Sequence, residues 1–139
     1  MNVNIEIYGE PVGKGRPRFN GCGKYVRTYT PDKTVRYEKL VKSAYKEQAE
    51  NYSFGDAPLR VNITAFFAPP KSATKAKRAK MLNGELYPTK KPDADNIAKI
   101  ICDALNGIAY NDDSQIVRLT VNKIYSETAY VTVDISEYK

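Results

Sequence analysis

The chain has no histidine and only two cysteines, Cys22 and Cys102, in 139 residues. The missing histidine excludes Ser-His-Asp and Cys-His catalysis. Any hydrolysis must then draw on carboxylates, lysine, tyrosine or a metal ion. Two cysteines are too few for a zinc site without histidine partners. They are expected as free thiols, because they lie far apart in a chain with no expected export signal. Met1 to Glu10 alternates apolar and polar residues and has no apolar signal core. No apolar run approaches the roughly 20 residues that a membrane helix needs. The expectation is a cytoplasmic protein that does not enter a membrane.

What is present is a strongly uneven charge. The net charge is +6, with hydrophobic residues at 42% and charged residues at 27%, which suits one soluble globular domain. Lys14, Arg16, Arg18, Lys24 and Arg27 lie between Pro11 and Pro31 with no acid among them. Lys71, Lys75, Lys77, Arg78, Lys80, Lys90 and Lys91 follow in a second segment, against Glu85 alone. The remainder of the chain is therefore net acidic. Separate basic and acidic zones suggest a polyanion partner and a distinct acidic site. The plainer alternative is two solvated lysine-rich loops.

Hydrophobic periodicity gives the order strand, helix, strand, helix, helix, strand, strand. Val3, Ile5 and Ile7 alternate as a first strand, and Leu59, Val61, Ile63, Ala65 and Phe67 as a second, ended by Pro69-Pro70. Gly9 to Tyr29 reads as a long loop or ribbon. A helix starts at Thr30-Pro31-Asp32 and runs to about Asn51, with Tyr37, Leu40, Val41, Ala44 and Tyr45 as its apolar stripe. Ser72 to Leu82 predicts a helix with little apolar surface. Another helix spans about Asp93 to Asn106, with Gly107 as its stop. Strands begin at Val117 and, after a Ser126-Glu127-Thr128 turn, at Ala129. The expected fold is a single α+β domain over residues 1–139, a mixed β-sheet with helices packed on it.

The acidic residues concentrate in Pro92-Asp93-Ala94-Asp95-Asn96, the helix it opens, and Asn111-Asp112-Asp113. On a helical wheel with Asp95 at zero, Lys99 falls near 40°, Asp103 near 80° and Asn106 near 20°. Ile97, Ile100, Ile101, Ala104, Leu105 and Ile108 occupy about 140° to 280°, the core side. One face therefore carries two carboxylates with a lysine between them. Asp113 reaches this face only if the chain folds back along the helix. Mg²⁺ is a hard cation that accepts a few carboxylates and keeps several waters. Held against a phosphate, it can polarise the phosphorus centre and activate water, while lysine meets the developing charge. Each element also has a simpler reading: Asp93 or Asp95 as a helix cap, Lys99 and Asp103 as an i, i+4 surface pair, and Asp112-Asp113 as a polar turn.

Rival motifs fail on spacing. Asp93 to Ile97 begins like a calcium loop, but an EF-hand needs an oxygen ligand where Ile97 stands and glycine where Ala98 stands. Gly13-Lys14-Gly15-Arg16 lacks the spacing of a phosphate-binding loop. Gly13 to Phe19, followed by Tyr25, Arg27 and Tyr29, mixes basic and aromatic residues as nucleic-acid contacts do. The Lys71–Lys80 stretch is a second phosphate contact or a solvated face.

The stretch PDADNIAKIICDALNGIAYNDDSQIV, Pro92 to Val117, resembles the core of the RusA family of Holliday junction resolvases. The GKGRPRF segment and the Tyr-Thr-Pro before the first long helix resemble a variant of the same family. These are small dimeric Mg²⁺-dependent endonucleases, often carried by phages and prophages. The resemblance implies a RusA-like fold and catalytic, metal-binding roles for Asp93, Asp95 and Asp113, with Lys99 as the catalytic lysine. Asp112, Asn96 and Asp103 become supporting residues. The implied cofactor is Mg²⁺, with Mn²⁺ as the alternative metal and no small-molecule cofactor. The implied partners are a four-way DNA junction and a second copy of the chain. Lys14, Arg16, Arg18, Lys24, Arg27, Lys90 and Lys91 are the expected DNA contacts, from charge rather than from the motif. The competing expectation is a non-catalytic basic module that binds nucleic acid without cutting it.

Overall fold

The structure is a computed structural model that describes residues 1–15, 18–20, 27–29 and 32–138; for 18–20 and 27–29 it describes the backbone alone. Its elements are β1 (Asn2–Tyr8), β2 (Arg18–Asn20), β3 (Arg27–Tyr29), α1 (Asp32–Gln48), β4 (Leu59–Phe67), α2 (Lys75–Leu82), α3 (Ala94–Ala104), β5 (Ile116–Tyr125) and β6 (Tyr130–Glu137). The fold is the expected α+β domain with a mixed sheet.

Alternation along β1, β4 and β6 sends Val3, Ile5, Ile7, Leu59, Val61, Ile63, Ala65, Val131, Val133 and Ile135 to one buried face. The opposite face is largely polar, with Asn62, Thr64, Thr132 and Asp134 half-buried and Phe66 stacked on Tyr130 at 4.3 Å. α1 packs on β1 and α3, and α3 packs on β5. Ile97, Ile100 and Ile101 are fully buried there. Each contributes about 1.5–3 kcal/mol relative to exposure. α2 buries only Met81, as its composition predicts, and is capped by Thr74.

The sheet order is β1-β6-β4-β5, with β4 parallel to β5 and antiparallel to β6. The Ser126–Thr128 turn therefore does not join neighbouring strands. It carries the chain across the end of β4, where the Ser126 amide donates to the Phe67 carbonyl at 2.9 Å. α1 ends at Gln48, earlier than expected, because Glu50 and Asn51 take left-handed backbone with φ of 52° and 60°. Leu40, expected in its apolar stripe, is exposed, and Thr34 is buried instead. Thr34 accepts a hydrogen bond from the Gly15 amide at 3.0 Å, which satisfies its hydroxyl inside the fold.

That contact belongs to a clamp. The segment 11–15 runs between α1 and the start of α3, and the Lys14 amide donates to the Asn96 carbonyl at 2.9 Å. A Cβ at Gly13 would lie 2.8 Å from the Cβ of Pro92 and 3.0 Å from that of Asn96. Neither atom is the free end of a flexible side chain. Gly13→Ala is therefore expected to lower stability by about 1–3 kcal/mol in urea titration, because either the loop or the start of α3 must shift. An unchanged midpoint would show that the clamp gives way freely.

Candidate active site

α3 has the amphipathicity read from its sequence, and its polar side faces a cavity of about 320 Å³. Asp95, Lys99 and Asp113 line this cavity together, over an apolar floor of Ala98, Cys102, Ile116 and Leu119. The chain turns back after α3, and β5 then packs on the helix, which is the fold-back that brings Asp113 to Asp95. The turn is secured by the buried Tyr110, whose hydroxyl donates to the Cys102 carbonyl at 2.7 Å.

Asp113 itself is positioned by its neighbours. It opens a one-turn 3₁₀ helix whose cap is Asp112. The Asp112 carboxylate accepts from the Ser114 amide at 3.2 Å, and the Gln115 side-chain oxygen accepts from the Asp112 amide at 2.8 Å. These contacts hold the Asp112 carboxyl below its usual range, through the hydrogen bond to Ser114. Asp112 thus shapes the turn. The Gln115 side-chain amide also donates to the carbonyls of Gly55 and Ala57, at 2.8 and 2.9 Å, tying the turn to the loop before β4.

Asp93 is the N-cap residue of α3 by position, but its side chain makes no cap hydrogen bond. It is exposed, and its carboxylate is not committed to the helix end. It opens onto a second cavity of about 580 Å³, shared with Gly13, Lys14, Lys33, Lys91 and Asn96. Among the described residues, no three Asp, Glu or Cys side chains lie close enough together to hold a metal ion. The structure thus places Asp95 and Asp113 on one cavity and leaves Asp93 at the neighbouring cleft.

Asp103 stands behind the pair. It lies 3.5 Å from Lys99 and 3.3 Å from Lys14, and Lys14 also reaches Glu38 at 3.1 Å. Burial opposes the Lys14 charge, but Glu38 and Asp103 outweigh it and raise its pKa above the ordinary lysine value. The ammonium of Lys14, expected on DNA, is held by two carboxylates. Asp113 is shifted above the usual carboxylate range by burial first, then by the charges of Asp112 and Asp103 and a hydrogen bond with Asp103. The pocket therefore gathers more negative charge than its side chains neutralise. Burial pushes the Cys102 thiol up to about 11, so it is neutral at pH 7 and is no nucleophile.

The other expected DNA contacts separate into groups. Arg16 and Lys24 lie outside the described residues, as does Cys22. Arg18 and Arg27 belong to the β2–β3 ribbon, where Arg18 pairs with Tyr29 and Arg27 with Asn20. Lys90 and Lys91 line a further cavity of about 210 Å³ beside Pro92. Sequence reasoning missed Lys33, which joins them there, and Lys123, which donates to the Lys90 carbonyl at 2.7 Å. It also missed Glu38 and Gln115. Lys33 and Glu38 lie on α1 and Lys123 on β5, and only the tertiary fold brings them to this region. The Lys71–Lys80 stretch is almost wholly exposed. No helix among the described residues is long and apolar enough to cross a membrane.

A relative in Bacillus subtilis (strain 168), Uncharacterized protein YqaN, is 38% identical over 137 residues, covering 97% of this chain and 96% of the relative. The family model for Endodeoxyribonuclease RusA matches residues 8–136. That match runs from the end of β1 to near the end of β6 and contains the Asp95–Lys99–Asp113 pocket. The chain belongs to the RusA endodeoxyribonuclease family.

Proposed function

We propose that this chain cuts branched DNA at the pocket between α3 and β5, with Asp95 and Asp113, assisted by Asp93, holding a divalent cation. Membership of the family makes the protein an endodeoxyribonuclease that resolves Holliday junctions. The observation that carries the assignment of residues is that Asp95 and Asp113, distant in sequence, line one cavity with Lys99 beside them.

The donor chemistry fits a hard cation such as Mg²⁺ or Mn²⁺. Both groups are oxygen donors, and Mg²⁺ needs few protein ligands because it keeps its waters. Burial first, and then the charges of Asp112 and Asp103, raise the proton affinity of Asp113, and a cation bound beside it would offset the charge repulsion. Once bound, such an ion supplies Lewis acidity at the phosphate and an activated water. The chain's own residues do the rest. Lys99 is 62% exposed at its side chain, and its solvated pair with Asp103 at 3.5 Å is weak enough to yield to a non-bridging phosphate oxygen. Ala98, Cys102, Ile116 and Leu119 give the pocket an apolar floor beside the carboxylates. Lys33, Lys90 and Lys91 beside Pro92 extend a positive surface along which the flanking backbone lies. Two copies, each with one such pocket, suit two opposed cuts in a four-way junction. We place this activity in the cytoplasm.

A synthetic four-way junction incubated with the protein in Mg²⁺, and in parallel in EDTA, tests the reading. Cleavage is expected in Mg²⁺ only, with binding retained in EDTA. Binding without cleavage in either condition would leave a nucleic-acid-binding module.

A further inference from the structure

We infer that Lys14 is a positioning residue whose charge, shared with Asp103, keeps Lys99 free for the scissile phosphate. The inference rests on the nuclease reading above and concerns the same site.

Both lysines approach the same oxygen, Oδ2 of Asp103: Lys14 at 3.3 Å and Lys99 at 3.5 Å. Their surroundings differ. Lys14 is 21% exposed and Lys99 is 62% exposed. An ion pair weakens as its groups become more hydrated, so the half-buried Lys14 is the stronger partner. Lys14 is also fixed at its root, because its amide donates to the Asn96 carbonyl and the next amide donates to Thr34. Glu38 holds its ammonium from the other side at 3.1 Å. Lys99 sits on the open side of α3, at the rim of the pocket that Asp95 and Asp113 line.

These contacts set up a competition. Asp103 is 22% exposed, and its carboxylate needs a cation. Among the described residues its ion-pair partners are Lys14 and Lys99. With Lys14 in place, Asp103 divides its charge between two cations, and its hold on the exposed Lys99 at 3.5 Å is weakened. Without it, Asp103 draws Lys99 down onto the helix and away from the phosphate. Lys14 touches neither substrate nor reacting atoms in this arrangement; it acts through Asp103 on Lys99.

The test is a double-mutant cycle on the full-length protein. Lys14→Met is expected to lower kcat for junction cleavage about tenfold, with KM and the salt dependence of binding unchanged. In an Asp103→Asn background, the same substitution is expected to cost less than about threefold, because no carboxylate remains to capture Lys99. Reductive methylation followed by mass spectrometry gives a readout independent of cleavage. Lys99 is expected to react more slowly in Lys14→Met than in wild type, and at the wild-type rate in the double variant. Lys14→Arg keeps the charge and is expected to hold kcat, which keeps the test readable if Lys14→Met folds poorly. Equal losses in both backgrounds, unchanged Lys99 reactivity, or a tenfold loss in Lys14→Arg would overturn the inference. So would weaker binding with a salt slope flatter by about one, the mark of a direct phosphate contact. If the wild type fails to cut in Mg²⁺, the nuclease reading falls, while the methylation arm still reports on the sharing of Asp103.

Discussion

Asp95→Asn and Asp113→Asn should each leave a protein that folds, binds a four-way junction and fails to cut it. The substitution keeps the shape of the side chain and removes its charge. Neither residue belongs to the core: Asp95 is exposed and Asp113 half-buried. Folding stability should therefore change little. Asp113→Asn should even relieve some repulsion, since its carboxyl is already shifted upward by burial and by Asp112 and Asp103. Catalysis should suffer far more. Loss of a charged ligand removes several kcal/mol of transition-state stabilisation, and about 4 kcal/mol corresponds to roughly a thousandfold in rate. Single-turnover cleavage against a binding isotherm separates the two effects. A variant that cuts within tenfold of wild type would remove that residue from the site. Asp93→Asn is expected to cost less, because its carboxylate opens onto the neighbouring cleft.

The polar side of α3 was legible in the sequence because a helix fixes angles. Once Asp95 and Ile97 lie on opposite sides, Lys99, Ile100, Ile101 and Asp103 follow from geometry. Buried Ile97, Ile100 and Ile101 and a pocket on the Asp95–Lys99 side are the result. The strands were legible for the same reason at period two. The sheet order was not. A short turn between two strands ordinarily makes them neighbours, and nothing in Ser126–Thr128 announces that β4 lies between β5 and β6. Long-range pairings of this kind depend on the whole core. The fate of the basic residues was equally hidden. Lys14 looks like any lysine in a cationic loop, and its two carboxylate partners sit 24 and 89 positions away. The family motif, Pro92 to Val117, covers a minor part of the chain, whereas the family match extends over residues 8–136. The motif marks the chemistry, and the remaining residues supply the frame that brings Asp113 to α3.

Gln115 shows how much that frame should matter. Its side chain satisfies three backbone groups at once: the Asp112 amide and the carbonyls of Gly55 and Ala57. The first contact closes the capping box of the turn that carries Asp113, and the other two fix the turn against the loop before β4. Gln115→Leu preserves approximate volume and removes all three bonds. The Ala57 carbonyl loses its donor, while the Gly55 carbonyl keeps the Asn111 amide at 3.1 Å, so the cost is about 1–3 kcal/mol of stability. The turn then keeps only the Asn111–Gly55 backbone bond to that loop, and Asp113 gains room to drift from Asp95. A displacement of about 1 Å at a reacting group can cost on the order of a hundredfold in rate. Cleavage by Gln115→Leu is therefore expected to fall by roughly ten- to a hundredfold. Junction affinity should be unchanged, since Gln115 lies outside the basic clefts. Gln115→Glu keeps the acceptor for the Asp112 amide but removes the donor to both carbonyls, so it should fall with Gln115→Leu and not with wild type. If both variants cut at the wild-type rate while losing stability, the anchor is structural only, and Asp113 finds its place through β5 alone.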